Sequence, residues 1–295
     1  MNENSDRHRF SQSLPFTGER FTPECVREIW YEHWHRYAFA LPLAKGRRVL
    51  DAACGEGYGS ALLAGVAESV LGVDLSREAI DHARQRYADC ANLRFLQADV
   101  TRLNDLPDAS FDLIVSLETL EHVQAQEPLL DGFRRLLSPD GVLLVSTPDK
   151  TQYNAHGGEP NPFHVRELER DEFEALLSSR FAHRRLFAQK LLFVSALWSL
   201  DRPDGRWQAD TERDGRIEPG LGYPPLYYVA ACAQHAAPLA ELPGMSLFGD
   251  AQEQVYRHYN EEIRRHIAAG HRLAELEDEV ARLRAELAAQ RNTDE

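Results

Sequence analysis

Paired cysteines, long apolar runs and a surplus of basic residues are all missing from this sequence. Its four cysteines, Cys25, Cys54, Cys90 and Cys232, are scattered over 295 residues with no CxxC pair. That excludes a disulfide framework and a cysteine-rich zinc site, and the thiols are expected to be reduced. No apolar run approaches the roughly 18 residues that a transmembrane helix requires. The opening MNENSDRHRF carries charge but leads into no apolar stretch, so no signal peptide is expected and a cytoplasmic location is the default. The formal net charge is −14. A field of that sign repels phosphate backbones, which argues against nucleic acid as a partner. One short basic stretch (Arg180, Arg184, Arg185, Lys190) reads as the solvated face of a strand. What the chain does hold is apolar content, 43% of its residues, enough for a sizeable core.

Residues 1–24 are polar and punctuated by Pro15, Gly18 and Pro23, which predicts an arm. Over 24–43, Trp30, Trp34, Tyr37 and Leu41 recur every three or four residues, the spacing of a helix with one apolar stripe. Strands and helices then alternate. Arg48–Ala52, Ser69–Asp74, Leu93–Gln97, 111–117 and 142–147 read as strands. Helices are expected over 59–67, over 76–87 with Ser76 as N-cap, and over 129–137, the last stopped by Ser138-Pro139-Asp140-Gly141. Past Pro148 the rhythm loosens, with a helix over 170–178 and strands over 186–197 and 227–233. This order predicts an α/β fold with a doubly wound, seven-stranded sheet, mainly parallel, whose final strand is antiparallel. The segment 201–225, rich in Gly, Pro, Asp and Arg, reads either as a lid or acceptor-site loop or as an inserted loop.

The tail has a different character. Leu273, Leu276, Val280, Leu283 and Leu287 are spaced 3, 4, 3, 4 among Glu and Arg residues. That is a heptad seam, and a coiled coil joining subunits or a partner is expected; the alternative is one amphipathic helix packed on its own domain. The organisation expected is therefore an arm and cap helix (1–44), an α/β domain (45–235) with an insertion over 199–225, and a C-terminal helix (250–291).

The most specific pattern is VLDAACGEGYGSALLA, residues 49–64. A strand ends near an acid and runs into a glycine turn that opens a helix. Gly55 and Gly57 allow close backbone approach to a ligand, and the helix start offers unpaired N–H groups. A nicotinamide-dinucleotide turn shares these features. The block resembles motif I of the class I S-adenosylmethionine-dependent methyltransferases, acid-x-G-x-G-x-G, with Ala53 at the first glycine position. Three further segments fit that family in order: the second strand ending at Asp74 before Leu75, the Gln97-Ala98-Asp99-Val100 turn, and FDLIVSLETLEHV over 111–123. The resemblance implies a Rossmann-like fold that binds S-adenosylmethionine. Asp51, Ala53, Gly55 and Gly57 would surround its methionine portion, Asp74 would meet its ribose and Asp99 and Val100 its adenine, with Leu75 also among the cofactor-binding residues. On this view Asp74→Ala or Gly57→Val is expected to abolish cofactor binding and leave the protein folded.

Glu118-Thr119-Leu120-Glu121-His122 follows the fourth strand, at the sheet edge where α/β proteins bind ligands. His164 comes later, in Asn161-Pro162-Phe163-His164. The pattern resembles the E-x-x-E-H block plus distal His of small-RNA 2′-O-methyltransferases and of ubiquinone-biosynthesis O-methyltransferases. That resemblance implies Glu118, Glu121, His122 and His164 as ligands of Mg²⁺ or Mn²⁺. Read without a metal, Glu118, His122 and His164 are the candidate catalytic residues, with a histidine as general base. Glu118 lining a pocket and Glu121 starting a helix are the structural readings. The segment Glu32-His33-Trp34-His35-Arg36-Tyr37 is similar to segments before motif I in bacterial methyltransferases found with polysaccharide-synthesis enzymes; Trp34 and Tyr37 also fit plain packing roles.

Three functions are therefore weighed. The first is O-methylation of a sugar or glycan hydroxyl. The second is methylation of a quinone-like or small aromatic acceptor walled by Phe163, Trp198, Trp207, Tyr223, Tyr227 and Tyr228. The third is a non-catalytic coiled-coil scaffold, which the intact glycine turn argues against.

Overall fold

The structure, a computed structural model, describes residues 28–157, 161–197, 199 and 207–291. The predicted arm, Cys25, Trp198 and the segment 200–206 lie outside the described residues. The chain divides into two compact units, Met1–Phe248 and Gly249–Glu295.

The first unit begins with helix α1 (Glu28–Ala44) and then alternates: β1 (Arg48–Ala52), α2 (Tyr58–Ala64), β2 (Ser69–Asp74), α3 (Arg77–Arg86), β3 (Leu93–Gln97), β4 (Phe111–Ser116), α4 (Gln126–Leu136) and β5 (Leu137–Pro148). Next come α5 (Lys150–Gly157), α6 (Arg170–Ser178), β6 (His183–Gln189), a two-stranded hairpin of β7 (Asp210–Arg213) and β8 (Arg216–Pro219), and β9 (Tyr227–Ala233). The second unit holds α7 (Gln254–Arg291).

Seven strands form one sheet in the order β3-β2-β1-β4-β5-β9-β6. All pairs are parallel except those of β9, which runs antiparallel to both β5 and β6. This is the doubly wound α/β fold expected from the sequence, with its antiparallel strand last in the chain. Strand order reverses between β2-β1 and β1-β4, so a crevice opens at the carboxyl ends of β1, β2 and β4. Consecutive strand residues feed opposite faces. Val49, Leu113 and Leu144 join Tyr37, Leu63 and Ile80 on one side, while Leu50, Ile114 and Leu143 join Phe133, Leu136 and Phe173 on the other. Burial on both faces explains why these strands read as nearly continuous apolar runs.

Several boundaries differ from the sequence pattern. Ser76 caps α3 as expected, accepting from the Ala79 N–H. Leu137-Ser138-Pro139-Asp140-Gly141 is no separate turn but the start of β5: Leu137 pairs with Phe111, and the register slips so that Leu113 meets Val142. The strand expected over 186–197 lies earlier, at β6, because its register is fixed by β9, with Gln189 opposite Tyr227. Residues 191–197 have no regular structure, and Phe193 and Leu197 are exposed. The expected 201–225 loop contains the β7–β8 hairpin, and α5 had no apolar periodicity to announce it. Among the described residues no helix is long and apolar enough to cross a membrane.

Helix α1 packs on α2 where Gly59 leaves room for a ring: a Cβ at residue 59 would sit 1.9 Å from the Tyr37 ring. Gly59→Ala is therefore expected to lower the unfolding free energy by about 1–3 kcal/mol through overpacking. Gly132 in α4 is the contrast, since a Cβ there meets nothing within 4 Å. Gly132→Ala is expected to stabilise by up to about 1 kcal/mol through helix propensity. Urea denaturation of both variants checks the pair; equal effects would show that the close approach of Tyr37 is unimportant.

Candidate functional site

The glycine turn lies at the crevice. Gly55 and Gly57 both have left-handed backbones, with φ of 55° and 88°, a conformation that favours glycine. Gly57 is the N-cap of α2. Asp74, at the end of β2, joins two loops: one carboxylate oxygen accepts the Gly55 N–H at 2.9 Å and the other the Ser76 N–H at 2.8 Å. Each oxygen retains acceptor capacity for a further donor such as a ribose hydroxyl. Leu75 beside it is 70% exposed, a large apolar side chain available to a ligand's ring. Asp99 caps the short turn Val100–Arg102, accepting from the Thr101 N–H and hydroxyl at 2.9 and 2.6 Å. Those bonds hold its carboxyl below the usual range, so it stays ionised.

Asp51 is deeper than the sequence suggested. It is 1% exposed and accepts from Ser60 Oγ at 2.6 Å and from the Tyr37 hydroxyl at 3.1 Å. It therefore acts beneath the turn, tying α1 and α2 to β1. Glu56, between the two glycines, is also buried and pairs with Arg86 at 2.9 Å and His82 at 3.2 Å. Gly57 has a packing role as well, because a Cβ there would lie 2.7 Å from the Phe95 ring. The expectation that Gly57→Val leaves the protein folded is thus corrected: the φ and the ring together require a glycine.

Arg36 of α1 is a site residue that sequence reading missed. It is 2% exposed. Its guanidinium lies 4.3 Å over the Tyr227 ring, its Nε donates to Gln189 at 2.7 Å, and one terminal nitrogen sits 3.6 Å from Glu118. Neither terminal nitrogen makes a hydrogen bond. A buried cation with unused donors suits an anionic ligand group. The signal available in the sequence was an arginine one residue before the stripe residue Tyr37.

Glu118 has a φ of 49°, an unusual backbone for a residue with a side chain. Ser146 of β5 holds it there: its hydroxyl accepts the Glu118 N–H at 3.0 Å and donates to the Glu118 carboxylate at 2.6 Å. Of the four predicted metal ligands, the structure brings three together. Donor atoms of Glu121, His122 and His164 all lie within 4.8 Å of one another, while Glu118 stands beside them, engaged by Ser146 and Arg36.

The three could hold a metal ion. Glu121 is 1% exposed; one oxygen accepts from Thr147 at 3.2 Å, and the other is buried and accepts no hydrogen bond. Burial, reinforced by the nearby Glu118 charge, pushes its carboxyl well above the usual range. An acid so destabilised as an anion gains from a cation beside it. His122 donates from Nδ1 to the Phe163 carbonyl at 3.0 Å, and its Nε2 faces Glu121 at 3.8 Å. His164 donates from Nδ1 to Glu167 at 2.5 Å. Its Nε2 accepts from the Asn161 amide at 3.1 Å, an orientation set by Asn161 Oδ1 accepting the Phe163 N–H. His122 thus turns Nε2 toward Glu121, whereas the single lone pair of His164 Nε2 is taken by Asn161, whose amide an incoming ion would have to displace. Both rings are held by second partners in the manner of metal-binding histidines. A carboxylate oxygen and two imidazoles fit a divalent ion.

Next to His164 is an open cavity of about 330 Å³ whose lining includes Lys150, Asn154, Asn161, Arg166 and Glu167. Among the described residues the expected aromatic wall does not form. Tyr227 and Tyr228 are neighbours on β9 and point to opposite faces, one under Arg36 and the other bonded to Asp149. Phe163, Trp207 and Tyr223 are exposed.

The sheet order and its antiparallel strand define the Rossmann-like methyltransferase fold. Residues 50–145 match a family model described as a methyltransferase domain. A probable S-adenosylmethionine-dependent methyltransferase of Mycobacterium tuberculosis is 39% identical over 167 residues, which cover 56% of this chain and 60% of that protein. A ubiquinone biosynthesis O-methyltransferase of Glaesserella parasuis is 31% identical over 111 residues, covering 36% of this chain and 47% of that enzyme. The chain thus spans less than two thirds of either relative. Among solved structures, the YcgJ protein of Bacillus subtilis superposes with a TM-score of 0.50 at 19% identity, covering 69% of this chain and 100% of that one, a likeness of fold alone. Over the α/β domain the chain is thus similar to S-adenosylmethionine-dependent methyltransferases.

Burial, opposed by the Ser60 and Tyr37 hydrogen bonds, raises the Asp51 carboxyl from 3.8 to about 6. The folded state thus prefers the protonated acid. Its contribution to stability is complete below pH ~4 and is lost as pH rises through ~6. Asp51→Asn cannot ionise, so its unfolding free energy relative to the parent, read by urea denaturation, is expected to climb between pH 4 and 7.5, the difference reaching on the order of 3 kcal/mol. A pH-independent difference would refute the assignment.

Proposed function

We propose that the protein transfers a methyl group from S-adenosylmethionine to a hydroxyl of a sugar or glycan, with a divalent cation held by Glu121, His122 and His164. The observation that carries this reading is the buried, unbonded Glu121 oxygen facing two imidazoles whose Nδ1–H groups are already engaged. The fold match and the glycine turn support the cofactor; its sulfonium supplies the methyl group when bound. Asp74, with acceptor capacity left on both oxygens, serves the ribose, and Leu75 and Asp99 serve the adenine side. Arg36 offers its unused donors to the anionic, amino-acid end. A bound Mg²⁺ or Mn²⁺ would lower the pKa of a coordinated acceptor hydroxyl. Glu118, fixed by Ser146, keeps Arg36 oriented and adds negative charge beside the cluster.

The polar lining of the cavity beside His164 favours a polyhydroxylated acceptor over an apolar one. Resemblance to ubiquinone-biosynthesis O-methyltransferases supports the second reading, an aromatic or quinone-like acceptor, but the scattered aromatic residues favour it less. Both readings share O-methylation.

Two measurements test the proposal. Asp74→Ala is expected to weaken S-adenosylhomocysteine binding more than a hundredfold in calorimetry while circular dichroism stays unchanged; full affinity would remove Asp74 from the site. Transfer of labelled methyl to a panel of glycans, nucleotide sugars and phenols is expected to vanish in EDTA and to return with Mg²⁺ or Mn²⁺. Undiminished turnover in EDTA would falsify the metal, and turnover on phenols alone would favour the second reading.

A further inference from the structure

The second unit contains α7, a single helix of 38 residues that passes through Gly270 unbroken. At 1.5 Å per residue it is about 57 Å long. Its apolar stripe lies open: Leu273 is 59% exposed, Leu276 41%, Val280 45% and Leu283 47%. Helices stay formed mainly by burying such a stripe, not by propensity.

The charges beside the stripe specify what covers it. With Leu273 and Val280 at a and Leu276 and Leu283 at d, the g positions are Arg272, Glu279 and Glu286 and the e positions are Glu277, Arg284 and Arg291. In a parallel, in-register pair each g residue faces the e residue five places further along the other strand. Arg272 then meets Glu277, Glu279 meets Arg284, and Glu286 meets Arg291. All three pairs are opposite in sign, and symmetry doubles them. The antiparallel register that stacks Leu273 on Leu283 and Leu276 on Val280 instead puts Glu279 against its own copy. A β-branched residue at a with leucines at d favours two strands. The whole chain carries −14, yet α7 holds seven acidic and seven basic side chains, so two copies meet here without net repulsion. The ion pairs these residues now make, Arg272 with Glu275 at 2.9 Å and Arg282 with Glu279 at 3.7 Å and Glu286 at 3.9 Å, are exposed and exchange at small cost.

We propose that α7 pairs with α7 of a second copy of this chain as a parallel, in-register coiled coil. This inference is independent of the proposed activity. Sedimentation equilibrium of the full chain is expected to give a dimer, and a monomer throughout the micromolar range overturns it. Glu277→Arg with Glu279→Arg makes the 272–277 and 279–284 pairs basic on both sides, and Arg272→Glu with Arg284→Glu makes them acidic on both sides. Each variant alone is expected to dimerise at least about tenfold more weakly, and an equimolar mixture to recover the dimer. Unchanged dimers of the separate variants overturn the pairing. Orientation is read by cysteine linkage. Leu276→Cys is expected to give a 276–276 disulfide in peptide maps. A disulfide formed only when Leu276→Cys is mixed with Val280→Cys overturns the parallel arrangement.

Discussion

A carboxylate buried beneath the glycine turn holds the site together. Asp51 ends β1, receives Ser60 from α2 and receives Tyr37 from α1. Three consecutive elements therefore meet at one acid, and the turn above them has a fixed floor. The arrangement is costly, since burial raises that acid's pKa to about 6. Glu56 repeats the device from within the turn, fastening it to α3 through Arg86 and His82. A loop that must present backbone N–H groups to a ligand is thus pinned by acids below and beside it.

Helix α1 links the two halves of the crevice. Tyr37 reaches the floor of the glycine turn, and Arg36, one residue earlier, reaches Glu118 on the far side of β1. Their rigid relation on one helix turn couples the ends of β1 and β4. Ser146 of β5 completes the frame by holding Glu118 in a left-handed backbone, strain of the kind that gathers at functional sites. The cluster of Glu121, His122 and His164 then follows, because the short turn after Glu118 carries the first two and the loop before α6 brings the third.

The sequence revealed most where turn residues bound a short apolar run, even at the sheet edge, as in β3. β1, β2, β3 and β9 have the residues expected, and so does the cap at Ser76, because apolar runs bounded by turn residues admit few other readings. It failed where the signal was one of partnership. β6 is an edge strand, His183–Gln189, with polar residues and one neighbour. The apolar run just after it was the more tempting strand, yet it has no register to join. Within the site, the glycines, Asp74 and the Glu121, His122 and His164 trio were visible as motifs. Arg36 lay in the family-like segment 32–37, but its role was not visible, because it comes from being buried against Glu118 and Tyr227, two contacts that span 82 and 191 residues. No local pattern encodes such distances.

The insertion between β6 and β9 has its two ends locked side by side: Gln189 pairs with Tyr227, and the Leu226 N–H bonds to the Gln189 carbonyl at 3.0 Å. A segment with anchored ends can change length cheaply, since doubling a loop costs only about 0.6 kcal/mol of closure entropy. Its sequence can also drift without disturbing the sheet register, which the strands alone determine. The molecule is therefore divisible in evolutionary terms. One part, strained and interlocked, resists change, and the other is an insertion whose length and sequence the sheet leaves unconstrained.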